Sequence, residues 1–124
     1  FCDGPKPGDM IEFFRKGYQH WAIYEGDGYV VHLAPPDDLG EGAMIYSLTS
    51  GMAVVKRQLL KDVVQGCPYR VNNYVDEWQS PRLQKEILRD ASRAVGKEMD
   101  YSLLHWNCEH FTTCLRNEKP YSAQ

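Results

Sequence analysis

Short apolar runs of β-branched and aromatic residues, broken by turn residues, fill the first half of the chain. "MIEFF" follows the turn-rich "GPKPGD" (Gly4–Asp9) and is interrupted by "RKGYQ". "HWAIYE" (His20–Glu25) and "YVVHLA" (Tyr29–Ala34) flank "GDG", which predicts two strands joined as a hairpin. "APPDDLGEG" reads as a loop, "AVVKRQL" as a further strand and "YRVN" (Tyr69–Asn72) as another. The second half turns helical. Leu83, Ile87, Leu88, Ala91 and Val95 recur at helical spacing and build one apolar face. Ser80 is the expected N-cap, Pro81 the first helical residue and Gly96 the stop. A second helix is expected from Asn107, a good N-cap residue, with Cys108, Phe111 and Leu115 on one face. The pattern predicts an α+β domain, a small antiparallel β-sheet packed against helices.

Composition narrows the class without naming a function. A chain of 124 residues forms one domain with a core that needs neither disulfide nor metal. The expectation is a single domain over residues 1–124. Net charge is −3 and the basic residues are scattered, so neither nucleic acid nor an electrostatic membrane patch is expected. The four cysteines, Cys2, Cys67, Cys108 and Cys114, show no zinc-like spacing. A reduced, intracellular, monomeric protein without metal or cofactor is expected. No apolar run approaches the ~20 residues of a membrane span, so no C-terminal membrane anchor is expected within this chain. It opens on Phe1 rather than Met, which suggests a processed product and leaves room for a removed anchor.

The chemistry concentrates in "HWNCEHF" (His105–Phe111). In the first turn of a helix, Cys108 would sit among free backbone N–H groups at the positive end of the dipole. That favours the thiolate and supplies oxyanion donors. The alternative is a small buried apolar side chain. His110 is the tempting base, but residues i and i+2 of a helix do not face each other. His105 lies before the cap, with no element to position it. His20 and His32 stand on the two hairpin strands, and loop length decides whether they share a face. A two-residue turn at Gly26-Asp27 would pair Trp21 with His32 and send His20 to the other side. A three-residue loop, Gly26–Gly28, would pair Ala22 with His32. His20 and His32 would then be diagonal neighbours at ~7–8 Å. Glycine at the last loop position suits that second choice. A nucleophile, a base and an orienting group result. The rival reading is two unrelated histidines on a half-buried sheet.

"PKPGDMIEFFRKGYQHWAIYEGDGYVVHLAPP" together with "NCEHF" resembles the phospholipase A/acyltransferase family, relatives of lecithin retinol acyltransferase on a permuted papain-like (NlpC-type) fold. The resemblance runs from about Pro5 to Arg116. It implies His20 as general base, His32 as the orienting third member and Cys108 as nucleophile. The implied reaction is calcium-independent and needs no cofactor. Cys108 attacks an sn-1 or sn-2 ester of a glycerophospholipid at a membrane surface, and a thioester acyl-enzyme forms. Water then completes a phospholipase A1/A2 reaction, or an amine such as phosphatidylethanolamine takes the acyl group. The Cys108 N–H would be an oxyanion donor, with Tyr18, Trp21 and Asn107 shaping the site. The implied location is cytoplasmic, peripheral to or anchored at intracellular membranes. The chain departs from the family where it ends in "LRNEKPYSAQ" and where "VNN" continues as "YVDEWQSPRLQ". Those departures bear on membrane attachment and substrate access. The picornaviral H-box/NC proteins of the same fold are the alternative, implying weak or altered acyl transfer and a role in replication or host-partner binding. Cysteine peptidases and amidases share the fold too.

Overall fold

The computed structural model describes residues 4–15, 18–34, 51–100, 107–119 and 121. The loop after Ala34, Cys2, His105 and the side chain of Tyr18 lie outside the described residues. Six strands form one antiparallel sheet: β1 (Met10–Arg15), β2 (Tyr18–Gly26), β3 (Tyr29–Ala34), β4 (Met52–Leu59), β5 (Tyr69–Val71) and β6 (Glu98–Asp100). Their order across the sheet is β5-β1-β2-β3-β4-β6. Among the described residues three helices accompany them, α1 (Leu60–Val64), α2 (Gln84–Ala94) and α3 (Cys108–Asn117), with a 3-10 turn at Tyr74–Glu77. The α+β expectation holds.

Strand alternation sorts the apolar residues into two clusters. Met10, Trp21, Ile23, Val31, Leu33, Ala53 and Val55 pack with Ile87 and Ala91 of α2 and with Cys108, Phe111 and Leu115 of α3. Ile11, Phe13, Ala22 and Val30 pack with Val63 of α1. The strands are hydrophobic on both faces because helices cover both.

The hairpin register is the one that a three-residue loop would give: Ala22 stands opposite His32. The chain reaches it by another route. The turn is the two-residue Asp27–Gly28, with φ of 54° and 84°, between the paired Gly26 and Tyr29. Pairing slips by one between Tyr24 and Gly26, so Glu25 is the extra residue of a β-bulge. Asp-Gly suits a tight turn with both central residues left-handed.

The first long helix begins later than the sequence suggests. Ser80 does not cap it and Pro81 is outside it; α2 starts at Gln84 after an extended Leu83 with φ −62° and ψ 140°. The cause is tertiary. The Arg82 N–H donates to Arg116 O at 2.7 Å, and its guanidinium donates to Leu115 O at 3.1 Å. The segment is tied to the end of α3 and cannot join α2. Leu83, expected on the buried face, is 62 % exposed. Gly96, at φ 90°, does end the helix.

A Cβ at Gly28 would meet nothing within 4 Å, so a side chain there is penalised by backbone conformation alone. Gly28→Val should destabilise the protein by about 1–3 kcal/mol and Gly28→Asn by less than half of that. Thermal melts check the order; equal losses would mean that the turn is not conformationally demanding.

Candidate active site

The start of α3 is built by Asn107. Its Oδ1 accepts from the N–H groups of Glu109 at 2.9 Å and His110 at 3.1 Å. In return, His110 Nδ1 accepts from the Asn107 N–H at 3.1 Å. This is a capping box with histidine at the third position. His110 is thus occupied in holding the helix end, in line with the angular argument against it as a base. The Asn107 carbonyl oxygen is likewise committed to the cap. Cys108, the first helical residue, is 1 % exposed and packs in the cluster that contains Trp21 and Leu33, the chain neighbours of His20 and His32. Glu109, also buried, accepts a hydrogen bond from the Tyr74 hydroxyl. Burial, reinforced by this bond, pushes the Tyr74 phenol far above its usual range. At the other end of α3, Arg116 donates to Asp76 at 2.8 Å and to Gly8 O at 2.6 Å, which pins the helix against the turn before β1.

The second half of the site lies on the hairpin. His20 Nε2 and His32 Nδ1 are 2.7 Å apart, with the rings nearly perpendicular at 82°. His32 Nε2 is 2.6 Å from Gln58 Oε1 on β4. His20 also packs against Phe13, ring centres 5.8 Å apart. Both imidazoles are buried. Burial lowers His20 well below 6.5, and the His32 and Arg15 charges push the same way. Burial also lowers His32, to about 4, with Arg15 and Lys56 adding to it against the raising bond to Gln58. Both rings are therefore neutral at neutral pH. His20 Nδ1 is buried without a hydrogen-bond partner, and so is the indole Nε1 of Trp21.

The structure joins His20 to His32 and places Cys108 at a capped helix start. It packs α3 across β1, β2 and β3, the last two carrying the histidines. Trp21 is buried, its ring 5.7 Å from Tyr74, which continues to Trp78 and Tyr121 as an aromatic row. Sequence reasoning missed Gln58. Its signal is period two along β4, but that helps only once β3 and β4 are known to pair with Val30 opposite Gln58. Among the described residues, no group of His, Cys, Asp and Glu gathers to hold a metal ion. No helix among them is long and apolar enough to cross a membrane. Cys67, Cys108 and Cys114 form no disulfide with one another.

A cysteine on a helix N-terminus and a buried imidazole with a bare nitrogen are the equipment of a thiol-dependent group-transfer domain. Comparison with known proteins gives the family. The family model described as lecithin retinol acyltransferase matches residues 3–121, and the chain belongs to that family. It is 54 % identical over 122 residues to human phospholipase A and acyltransferase 4, covering 97 % of this chain and 74 % of that protein. It is 49 % identical over 121 residues to human phospholipase A and acyltransferase 1, covering 97 % and 72 %. To mouse phospholipase A and acyltransferase 3 it is 50 % identical over 122 residues, covering 97 % and 75 %.

The lowered histidines make stability pH-dependent. The unfolded chain takes up a proton at each ring near 6.5, before the folded chain does, so acidification favours unfolding. As pH falls from 6.5 to about 4, His32 alone should remove about 3 kcal/mol of stability. Denaturant midpoints at pH 7 and 4.5 check this: the drop should shrink in His32→Asn, and an unchanged drop would mean that His32 is not held neutral.

Proposed function

We propose that this chain is a thiol-dependent phospholipase A and acyltransferase acting on glycerophospholipids, with Cys108 as nucleophile, His20 as base and His32 as the group that orients the base. One observation carries the reading: a bare, buried His20 Nδ1, in a ring held from its other nitrogen by His32. A buried nitrogen left without a partner is costly unless a function needs it. The names of the relatives supply the reaction class.

In the first step the Cys108 thiol gives its proton to His20 Nδ1, and the sulfur bonds to an ester carbonyl carbon. The carbonyl electron pair moves to oxygen, which the Cys108 N–H, at the positive end of the α3 dipole, would stabilise. Collapse breaks the carbon–oxygen bond. The leaving alkoxide takes the proton back from His20, and lysophospholipid departs. Water, or the amine of a second lipid, then gives a proton to Nδ1 and attacks the thioester. Hydrolysis yields a fatty acid and transfer an N-acyl lipid; either way the thiol regains its proton. Trp21, beside the base, would contribute to the shape of the acyl site. Trp21 and His20 leave β2 on opposite sides, and α3 packs on the side of Trp21. Proton transfer thus requires the Cys108 sulfur to reach the ring of the residue next to Trp21.

Incubation with phosphatidylcholine vesicles followed by intact-protein and peptide mass spectrometry should show one fatty-acyl addition, on Cys108. Cys108→Ala should abolish it, and His20→Ala should slow it by about 100-fold or more. Normal acylation in His20→Ala would separate the thiol from the histidine pair and sink the triad. Because His20 is held neutral, the acid limb of kcat/KM should lie below pH 6.5; a limb at or above that value contradicts a buried neutral base.

A further inference from the structure

Two contacts make a chain of three side chains: His20 Nε2 to His32 Nδ1 at 2.7 Å, and His32 Nε2 to Gln58 Oε1 at 2.6 Å. Two neutral imidazoles can satisfy such a chain in only one direction at a time. Each ring carries one N–H and one bare nitrogen. The amide group at the end therefore decides the protonation of every nitrogen before it. We propose that Gln58 is a positioning residue of the reaction described above: its carbonyl oxygen fixes the tautomers of His32 and His20 so that His20 offers Nδ1 to the thiol as an acceptor.

The constraint propagates from the amide inward. Gln58 Oε1 only accepts, so His32 must donate through Nε2–H. His32 Nδ1 is then bare and accepts from His20 Nε2–H, which leaves His20 Nδ1 bare. That is the atom that stands buried and without a partner. With the amide reversed, its NH2 would donate to His32 Nε2. His32 would donate from Nδ1 to His20 Nε2, and His20 would carry its proton on Nδ1. A ring in that state cannot take the proton of a thiol. One carbonyl two side chains away thus separates a base from a donor.

The neutrality of Gln58 matters as much as its direction. A carboxylate at 58 would accept the same proton and set the same tautomers, but would draw charge onto the rings. Around the pair, Arg15 on β1 and Lys56 on β4 act against a cation, and no acidic group enters the balance of either ring. A neutral acceptor therefore leaves the pair uncharged at rest. When His20 takes up the thiol proton, both existing hydrogen bonds already point their dipoles to stabilise the new cation, and no proton needs to move along the relay.

This inference rests on the proposed function, and the experiment keeps the two apart. Long-range proton–nitrogen NMR of histidine-labelled protein at pH 7.5 reads the tautomers directly. The expected result is Nε2–H on both His20 and His32; a proton on His20 Nδ1 overturns the proposal. The acylation rate of Cys108 by a short-chain ester is then compared across variants of equal fold, judged by melting temperature. Gln58→Leu should mix the tautomers and lower kcat at least about 10-fold, with KM little changed. Gln58→Glu should keep the tautomers and most of the rate, while the acid limb of the pH profile moves up. If Gln58→Leu acylates at the parent rate while Cys108→Ala does not react, Gln58 has no positioning role and the thiol mechanism stands. If Cys108→Ala still turns over ester, the thiol mechanism itself fails, whatever the tautomers show.

Discussion

One surplus residue in β2 holds the histidine pair together. The Asp27–Gly28 turn, taken alone, would continue the ladder with Ile23 opposite His32 and turn His20 to the other face of the sheet. The bulge at Glu25 moves the register by one, so that Ala22 meets His32 and His20 becomes its diagonal neighbour. Side-chain period two makes this all-or-nothing: a slip of one residue exchanges the faces of every side chain on the strand. The conformations that permit it are local, with Gly26 at φ 112° and Gly28 at 84°. The consequence is not local. The relay from Gln58 through His32 to His20, and the bare nitrogen at its end, exist in only one of the two registers.

Much of this was legible in the residues, for identifiable reasons. The hairpin, β1, β4 and β5 announce themselves through β-branched and aromatic runs between turn residues, and the α3 start through Asn107. Counting the loop left two registers open, and Gly28 favoured the three-residue loop; the chain reaches that register through a bulge and a two-residue turn. Ser80 failed as a cap because a contact between Arg82 and the end of α3, distant in sequence, outweighs a local preference. The three-residue β6 and the five-residue α1 are too short to carry a period, and β6 exists through its pairing with β4. His110 was set aside as a base by helix geometry, but its place in the capping box needed coordinates. Gln58 was invisible because nothing in the order of residues says which strand lies beside β3, or in which register.

The electrostatic balance explains why a base of lowered pKa suits a thiol. Burial opposes an imidazolium on His32 by about 3 kcal/mol, and His20 is shifted in the same direction. A helix N-terminus favours a thiolate by about 0.3–2 kcal/mol, which does not offset that alone. What does is the attraction between the two charges once both exist, about 4 kcal/mol at 4 Å for an effective dielectric of 20. A lone imidazolium is therefore unstable in this site, and a facing thiolate would offset part of its cost. In the proposed mechanism, charge would separate only as a pair, while sulfur and ring are together, and would collapse when the proton returns. A carboxylate behind His32 would weaken that dependence by holding a proton on the rings with no thiolate present. A neutral amide keeps the proton tied to the sulfur.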